Sequence, residues 1–330
     1  MKSRIRSLFG RLAAIASIGG VFIVAASIVP APALAAVVVN DSWADGGRDD
    51  GADPFDSNWW TSSNASGIEV TTGSLGLVSG SQGRGIHTVF PTQTLGVGDK
   101  LIATYTFTTP ATVGTPGSGA FRVGLFDTLG RAGLDGDIVS SSGSPSALYG
   151  WGSSIVPAPP TPTAGLPGYM MDMDVGGTSA GVEDLNFRAH DTGTVAPTGR
   201  LMGTTTGFAN VSPSGPDGAY SFAPNTTYVG SISITRTTAT DMEITGTLGT
   251  ATHTVTDAFD SASYGMLAFW ANSNTFGTNS TPSTPETPVT NNGIDFSNVT
   301  IEYIAAVPEP AAALPLLTLL LGWASRRRRA

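Results

Sequence analysis

Between Lys100 and Thr108 the chain alternates Leu101, Ala103, Tyr105 and Phe107 with Thr104, Thr106 and Thr108. A period of two puts the apolar set on one face of a strand and the hydroxyls on the other. This pattern recurs, which is why it limits the fold more than any other feature. Tyr228, Ile232 and Ile234 stand opposite Ser231, Ser233 and Thr235; after residues 237–240, Met242, Ile244 and Leu248 stand opposite Asp241, Glu243, Thr245 and Thr247. The two runs predict an antiparallel hairpin with one wet face. Further strands are predicted at 120–127, 168–175, 184–190, 264–270 and 293–304. In the last of these Ile294 and Phe296 share a face, but Val299, Ile301 and Tyr303 restart one residue late. That slip predicts a β-bulge near Ser297 and Asn298. Away from the two ends no window of helical length shows a 3.6-residue period, and 42 Gly with 22 Pro among 330 residues suit turns rather than helices. A dozen or so strands with such turns predict an all-β fold, a two-sheet antiparallel β-sandwich.

The two ends carry a different pattern. Lys2, Arg4, Arg6 and Arg11 precede an apolar run from Leu12 to Val29, then Pro30 and Ala33-Leu34-Ala35. Basic, apolar and small residues in that order predict a signal peptide over 1–35, with Ala33 and Ala35 framing the site of a signal peptidase; an uncleaved anchor is the other reading. At the opposite end Val307-Pro308-Glu309-Pro310 is followed by an apolar stretch, residues 311–324, and then by Arg326, Arg327, Arg328 and Arg329. A helix of that length rises about 21 Å against a hydrocarbon core of about 30 Å, too short for a comfortable permanent anchor. The arginines would keep the C-terminus on the cytoplasmic side.

Pro-Glu-Pro, a short apolar segment and a terminal arginine cluster together resemble the PEP-CTERM sorting signal of exopolysaccharide-producing Gram-negative bacteria. The resemblance covers residues 305–330 and implies a route rather than an activity. It implies recognition of Val307, Pro308, Glu309 and Pro310 by the membrane protease-transpeptidase exosortase, with Arg326 to Arg329 as the stop-transfer cluster. The protein would dwell transiently in the inner membrane and end at the cell surface or in the extracellular matrix.

Removing both ends changes the charge. Four of the 16 basic residues lie before residue 36 and four after residue 310, leaving 8 between them against all 25 acidic ones, so residues 36–310 carry a formal charge of −17 where the whole chain has −9. Nucleic acid and anionic lipid are poor partners for such a body, because binding them depends on Lys and Arg neutralising phosphate. Neutral glycans and divalent cations remain. Cys is absent, which removes disulfides, thiolate metal sites and cysteine nucleophiles.

Residues 36–304 read as one domain, interrupted by Pro/Thr-rich loops at 156–168 and 278–292 whose composition favours extended backbone. An Asp-rich start with a Trp pair, a Phe-Arg-Val-Gly-Leu-Phe strand, the hairpin and a final Ile-Asp-Phe-Ser-Asn-Val strand follow in the order of a concanavalin-like or laminin-G-like jelly roll, which the body resembles in pattern. That resemblance implies a last strand pairing near the first, with Val37 to Asn40 beside Asn298 to Ile304.

Candidate chemistry is sparse. Asp172 and Asp174 share a strand face, the arrangement that paired-carboxylate glycosidases use. Laminarinase-type hydrolases of the concanavalin-like fold carry Glu-x-Asp-x-Glu there, and both glutamates are missing here. His87, His190 and His253 show no metal spacing. Asp45, Asp49, Asp50 and Asp53, with Asp135 and Asp137, are weak candidates for Ca²⁺, the one cofactor considered; none has the spacing of an EF-hand. Trp59, Trp60, Tyr149, Trp151 and Trp270 are candidate sugar platforms, since adjacent aromatic residues in a strand send one ring inward and one outward. The residues together predict an exported, non-catalytic protein that binds or structures exopolysaccharide. A spacer without a ligand and a carbohydrate-active enzyme of concanavalin-like fold stay open beside it.

Overall fold

The structure is a computed structural model and describes residues 35–49, 55–61, 67–79, 83–114, 119–131, 134–137, 166–175, 185–190, 202, 208–215, 220, 222–272, 275–277 and 292–307. These belong to a compact unit, Pro32–Val307. The signal and sorting segments other than Ala35 and residues 305–307 lie outside the described residues, as do nearly all of the two Pro/Thr-rich loops. Among the described residues no helix is long and apolar enough to cross a membrane.

Among the described residues fifteen antiparallel strands form two sheets. The eight-stranded sheet runs β13 (Ala251–Ala258), β12 (Asp241–Leu248), β11 (Thr227–Arg236), β6 (Lys100–Thr108), β15 (Gly293–Ile304), β4 (Ser74–Val78), β3 (Ile68–Thr71), with β1 (Ala35–Asp41) also on β15. The seven-stranded sheet runs β10 (Phe208–Val211), β9 (Leu185–His190), β8 (Gly168–Val175), β7 (Gly119–Phe126), β14 (Ser263–Ala271), β5 (Arg84–Thr94), β2 (Trp59–Thr61).

The alternating runs became the eight-stranded sheet, whose outer face is wet. In β6 and β12 half-buried residues alternate with fully buried ones. Hydroxyls pair across this face, Thr108 with Thr227 (2.9 Å), Ser231 with Thr247 (2.8 Å) and Thr245 with Thr254 (2.9 Å). The hairpin forms as expected, Ile234 opposite Ile244. Pairing of β15 with β6 slips between Phe296 and Asn298, the expected bulge. The slip divides one edge of β15: β4 pairs with residues 293–296, β1 with residues 299–304. First and last strands are therefore neighbours, Ala35 opposite Ile304 and Asn40 opposite Thr300.

Between the sheets lies an aromatic core. Tyr105, Phe107 and Phe296 from the eight-stranded sheet meet Phe121 and Phe269 from the other, with Phe269 and Phe296 at 4.5 Å and Tyr105 edge-on to Phe269 at 5.2 Å. Gly230 makes room for it, since a Cβ there would lie 2.6 Å from the Tyr105 ring. The seven-stranded sheet differs in being covered on both faces. Its outer side carries a second apolar cluster that includes Phe126, Leu134, Met170, Met202, Met266 and Trp270. Burial on both faces is what near-continuous apolar strands such as Tyr-Gly-Met-Leu-Ala-Phe-Trp-Ala require.

Candidate functional site

Register sets one residue from each strand of the seven-stranded sheet into a row on its outer face: Trp60, His87, Ala268, Gly124, Met170, Arg188 and Asn210. At about 4.8 Å per strand the row is about 29 Å long. It is buried in the middle, where His87, Ala268 and Met170 are fully covered, and accessible at its ends. One step along the strands Trp270, Arg122, Asp172 and Asn186 form a second, parallel row.

The polar residues of these rows make one cluster. Arg122 Nε donates to Asp172 Oδ1 at 2.7 Å and Arg188 Nε to Asp172 Oδ2 at 2.8 Å. Arg122 Nη1 donates to the Met202 carbonyl at 2.5 Å, and its guanidinium sits 4.8 Å above the Trp270 ring. Arg188 Nη1 donates to Asn210 Oδ1. Asp172 is 8% exposed and Arg188 19%, so the cluster opens to solvent on the β9–β10 side. Two guanidiniums share one carboxylate. Asp174 lies two residues on, about 6.6 Å along the strand, a spacing paired-carboxylate hydrolases use. Asp172 is poorly placed for that work, because both its oxygens already accept from arginine.

Two aromatic candidates are corrected by burial. Trp59 is fully buried; it stacks on Phe269 at 6.1 Å, and its Nε1 donates to Asp41 Oδ2 at 2.7 Å. Trp270 does face outward, but the second apolar cluster leaves it 2% exposed. The rule of one ring in and one out holds for direction and fails for exposure, because the outer face of this sheet is covered. Trp60 remains half-buried, 5.5 Å from the His87 ring. Tyr149 and Trp151 lie outside the described residues.

The acidic candidates are spent largely on the protein itself. Asp137 holds Arg48 with both oxygens, at 2.8 and 3.1 Å, and accepts from the Thr61 amide at 3.1 Å. Asp45 accepts from the Gly47 amide two residues on, the geometry of a turn. Asp49 and Asp135 are exposed, and Asp50 and Asp53 lie outside the described residues. Among the described residues no three His, Cys, Asp or Glu side chains are grouped to hold a metal. The histidines pack: Nε2–H of His87 donates to the Leu134 carbonyl at 2.8 Å, His190 meets Phe208 edge-on at 4.9 Å, and His253 stacks on Phe187 at 5.7 Å.

Arg122, Arg188 and Asn210 were not singled out by the sequence. Arg122 and Arg188 sit among apolar neighbours in Phe-Arg-Val and Phe-Arg-Ala, at the outward positions of their strands. That placement is the signal available; only register shows that both meet Asp172.

No family model matches the chain and no curated protein matches it. Solved structures do. The chain is similar to the Emp46p carbohydrate recognition domain in its metal-free form, at 10% identity and TM-score 0.42 over 74% of this chain and 87% of that one. It is similar to an endo-1,3-beta-glucanase from Streptomyces sioyaensis, at 12% identity and TM-score 0.41 over 82% and 97%. A lectin from Bauhinia forficata in complex with GalNAc matches at 8% identity and TM-score 0.40 over 83% and 99%. The two-sheet sandwich is established by the strand pairing itself.

Proposed function

We propose that this is an exported protein, processed at both ends, that acts without catalysis by binding or structuring the polysaccharide of an extracellular layer. The observation that carries the binding half is the Arg122–Asp172–Arg188–Asn210 cluster. It is a polar group set into an otherwise apolar outer face, held rigid by charge-assisted bonds and open at the β9–β10 side. Guanidinium and amide donors fixed in this way suit the hydroxyls of a sugar, and Trp60 offers a half-exposed ring at the far end of the same row. The engagement of both Asp172 oxygens supports a non-catalytic role.

Processing at both ends is supported by the signals at the termini and by the pairing of β1 with β15, which brings Ala35 beside Ile304. An anchored or released surface protein needs no more than that. Burial of Trp59 and Trp270 favours the spacer reading to the extent that it removes two platforms. Co-sedimentation with matrix polysaccharides, with and without Ca²⁺, decides between them: retention on at least one supports binding, and retention on none leaves the spacer.

A further inference from the structure

The charges of the outer-face cluster do not balance. Arg122 and Arg188 bring two positive charges and Asp172 one negative, and their bonds to Asp172 are the only ion pairs either arginine makes among the described residues. Asp174, two residues on, has an interaction of its own and pairs with neither arginine. The side chains of Arg122 and Arg188 are 10% and 19% exposed, so water reaches little of either. A charge held this far from water is costly unless a counter-charge faces it. The cluster is one anion short.

Donors are left over as well. A guanidinium has five N–H groups. Arg122 gives one from Nε to Asp172 and one from Nη1 to the Met202 carbonyl; Arg188 gives one from Nε to Asp172 and one from Nη1 to Asn210 Oδ1. Nη2 of each donates to no protein group among the described residues. Arg122 is backed by the Trp270 ring at 4.8 Å, and Asn210, which is exposed, marks the side from which Arg188 can be reached. A planar fork with unspent N–H groups matches a carboxylate better than a hydroxyl. Composition points the other way, since residues 36–310 hold 25 acidic residues against 8 basic ones. Such a body repels an acidic polymer at long range, a repulsion that salt screens. At this cluster register sets two basic residues on one acid and reverses the sign locally.

We propose that the cluster binds the carboxylate of a uronic acid residue, seated on Arg188 with Arg122 behind it, so that the polysaccharide this protein takes is an acidic one. This rests on the cluster being the polysaccharide site and adds the chemistry of the sugar it takes. Asp172 then serves to hold the two guanidiniums parallel, and the uronate supplies the second negative charge.

The test is a set of binding isotherms of the full chain in detergent, without calcium and at about 0.15 M salt. The probes are alginate and polygalacturonate, the carboxyl-reduced form of each, and dextran sulfate, with D-glucuronate and D-glucose as soluble competitors. At least one uronate polymer should bind about tenfold more tightly than its reduced form. Glucuronate should displace it and glucose should not. Arg188→Gln should bring the uronate polymer down to the affinity of the reduced one and leave that lower affinity in place. Should Arg188→Gln fail to fold, the competition measured on the parent carries the same expectation. Equal affinity for the acidic and reduced polymers, or a preference that survives Arg188→Gln, would overturn the uronate assignment and leave polysaccharide binding standing. Dextran sulfate binding as tightly as the uronate polymer would overturn it too, as attraction to any polyanion. Binding of no polymer at all would overturn both the assignment and the polysaccharide reading beneath it.

Discussion

His87 and Asp41 are buried titratable groups whose effects on stability run in opposite directions over nearly the same pH range. His87 is fully buried, 5.5 Å from the Trp60 ring, and burial pushes its pKa from 6.5 down to about 4. The unfolded chain therefore takes up a proton that the folded chain refuses, so stability present above pH 6.5 is lost as pH falls to 4. At about 1.4 kcal/mol per unit the loss is about 3 kcal/mol. Asp41 is 3% exposed, and burial pushes its pKa from 3.8 up to about 6, against the lowering effect of the Trp43 amide and the Trp59 indole. Here the folded chain holds the proton more tightly, so stability present below pH 3.8 is lost as pH rises through 6. The magnitude is at most about 3 kcal/mol, less to the extent that solvent screens the carboxylate. In the intact protein the two contributions largely offset one another between pH 4 and 6. Single variants separate them. Urea unfolding of His87→Gln, Asp41→Asn and the parent from pH 4 to 7 gives difference profiles from which all shared groups cancel. For His87→Gln, stability relative to the parent should increase by about 3 kcal/mol on going from pH 7 to 4. For Asp41→Asn it should increase by up to about 3 kcal/mol in the opposite direction, from pH 4 to 7. Flat differences, or two slopes of the same sign, would refute the burial argument.

Two further outcomes concern the C-terminal exit. Asp99 accepts from the Gly96 and Ala306 amides, both at 2.7 Å, and from the Tyr303 hydroxyl, so Asp99→Ala should cost about 1–3 kcal/mol. Hydrogen exchange should show protection lost at Gly96 and over residues 303–307; an unchanged Ala306 amide would contradict this. Replacing Pro308, Glu309 and Pro310 with alanine should leave the protein in the inner membrane on cell fractionation, and normal release to the surface would contradict the sorting assignment.

How much could be read in advance differed between the two sheets for a physical reason. β6, β11, β12 and β15, bulge included, were legible because one of their faces is wet and composition records the pleat. In β5 and β14 both faces are covered, so alternation fades; β14 still shows as an apolar run, whereas β5, Arg-Gly-Ile-His-Thr-Val-Phe-Pro-Thr-Gln-Thr, shows neither an apolar run nor a period. β2, β3 and β10 have three or four residues, too few for a period to show. β13 reads Ala-Thr-His-Thr-Val-Thr-Asp-Ala, and Val255, its one large apolar residue, is too little to mark an inward face. The same covered face explains the error over Trp270, since outward was equated with exposed. The candidate site was half legible: Asp172 stood out as an acid in an apolar strand. Its partners Arg122 and Arg188 lie 50 and 16 residues away, and strand register alone joins them.

The central claim is that the Arg188 end of the outer row meets a polysaccharide. It is tested most directly by a binding isotherm of the intact protein and of Arg188→Gln on the matrix polysaccharide that retains the parent, with Tm measured alongside. Saturable binding by the parent, weakened at least tenfold in Arg188→Gln while Tm stays within a few degrees, is the predicted result. Equal affinity of the two proteins, or no binding by the parent to any matrix polysaccharide, would contradict it.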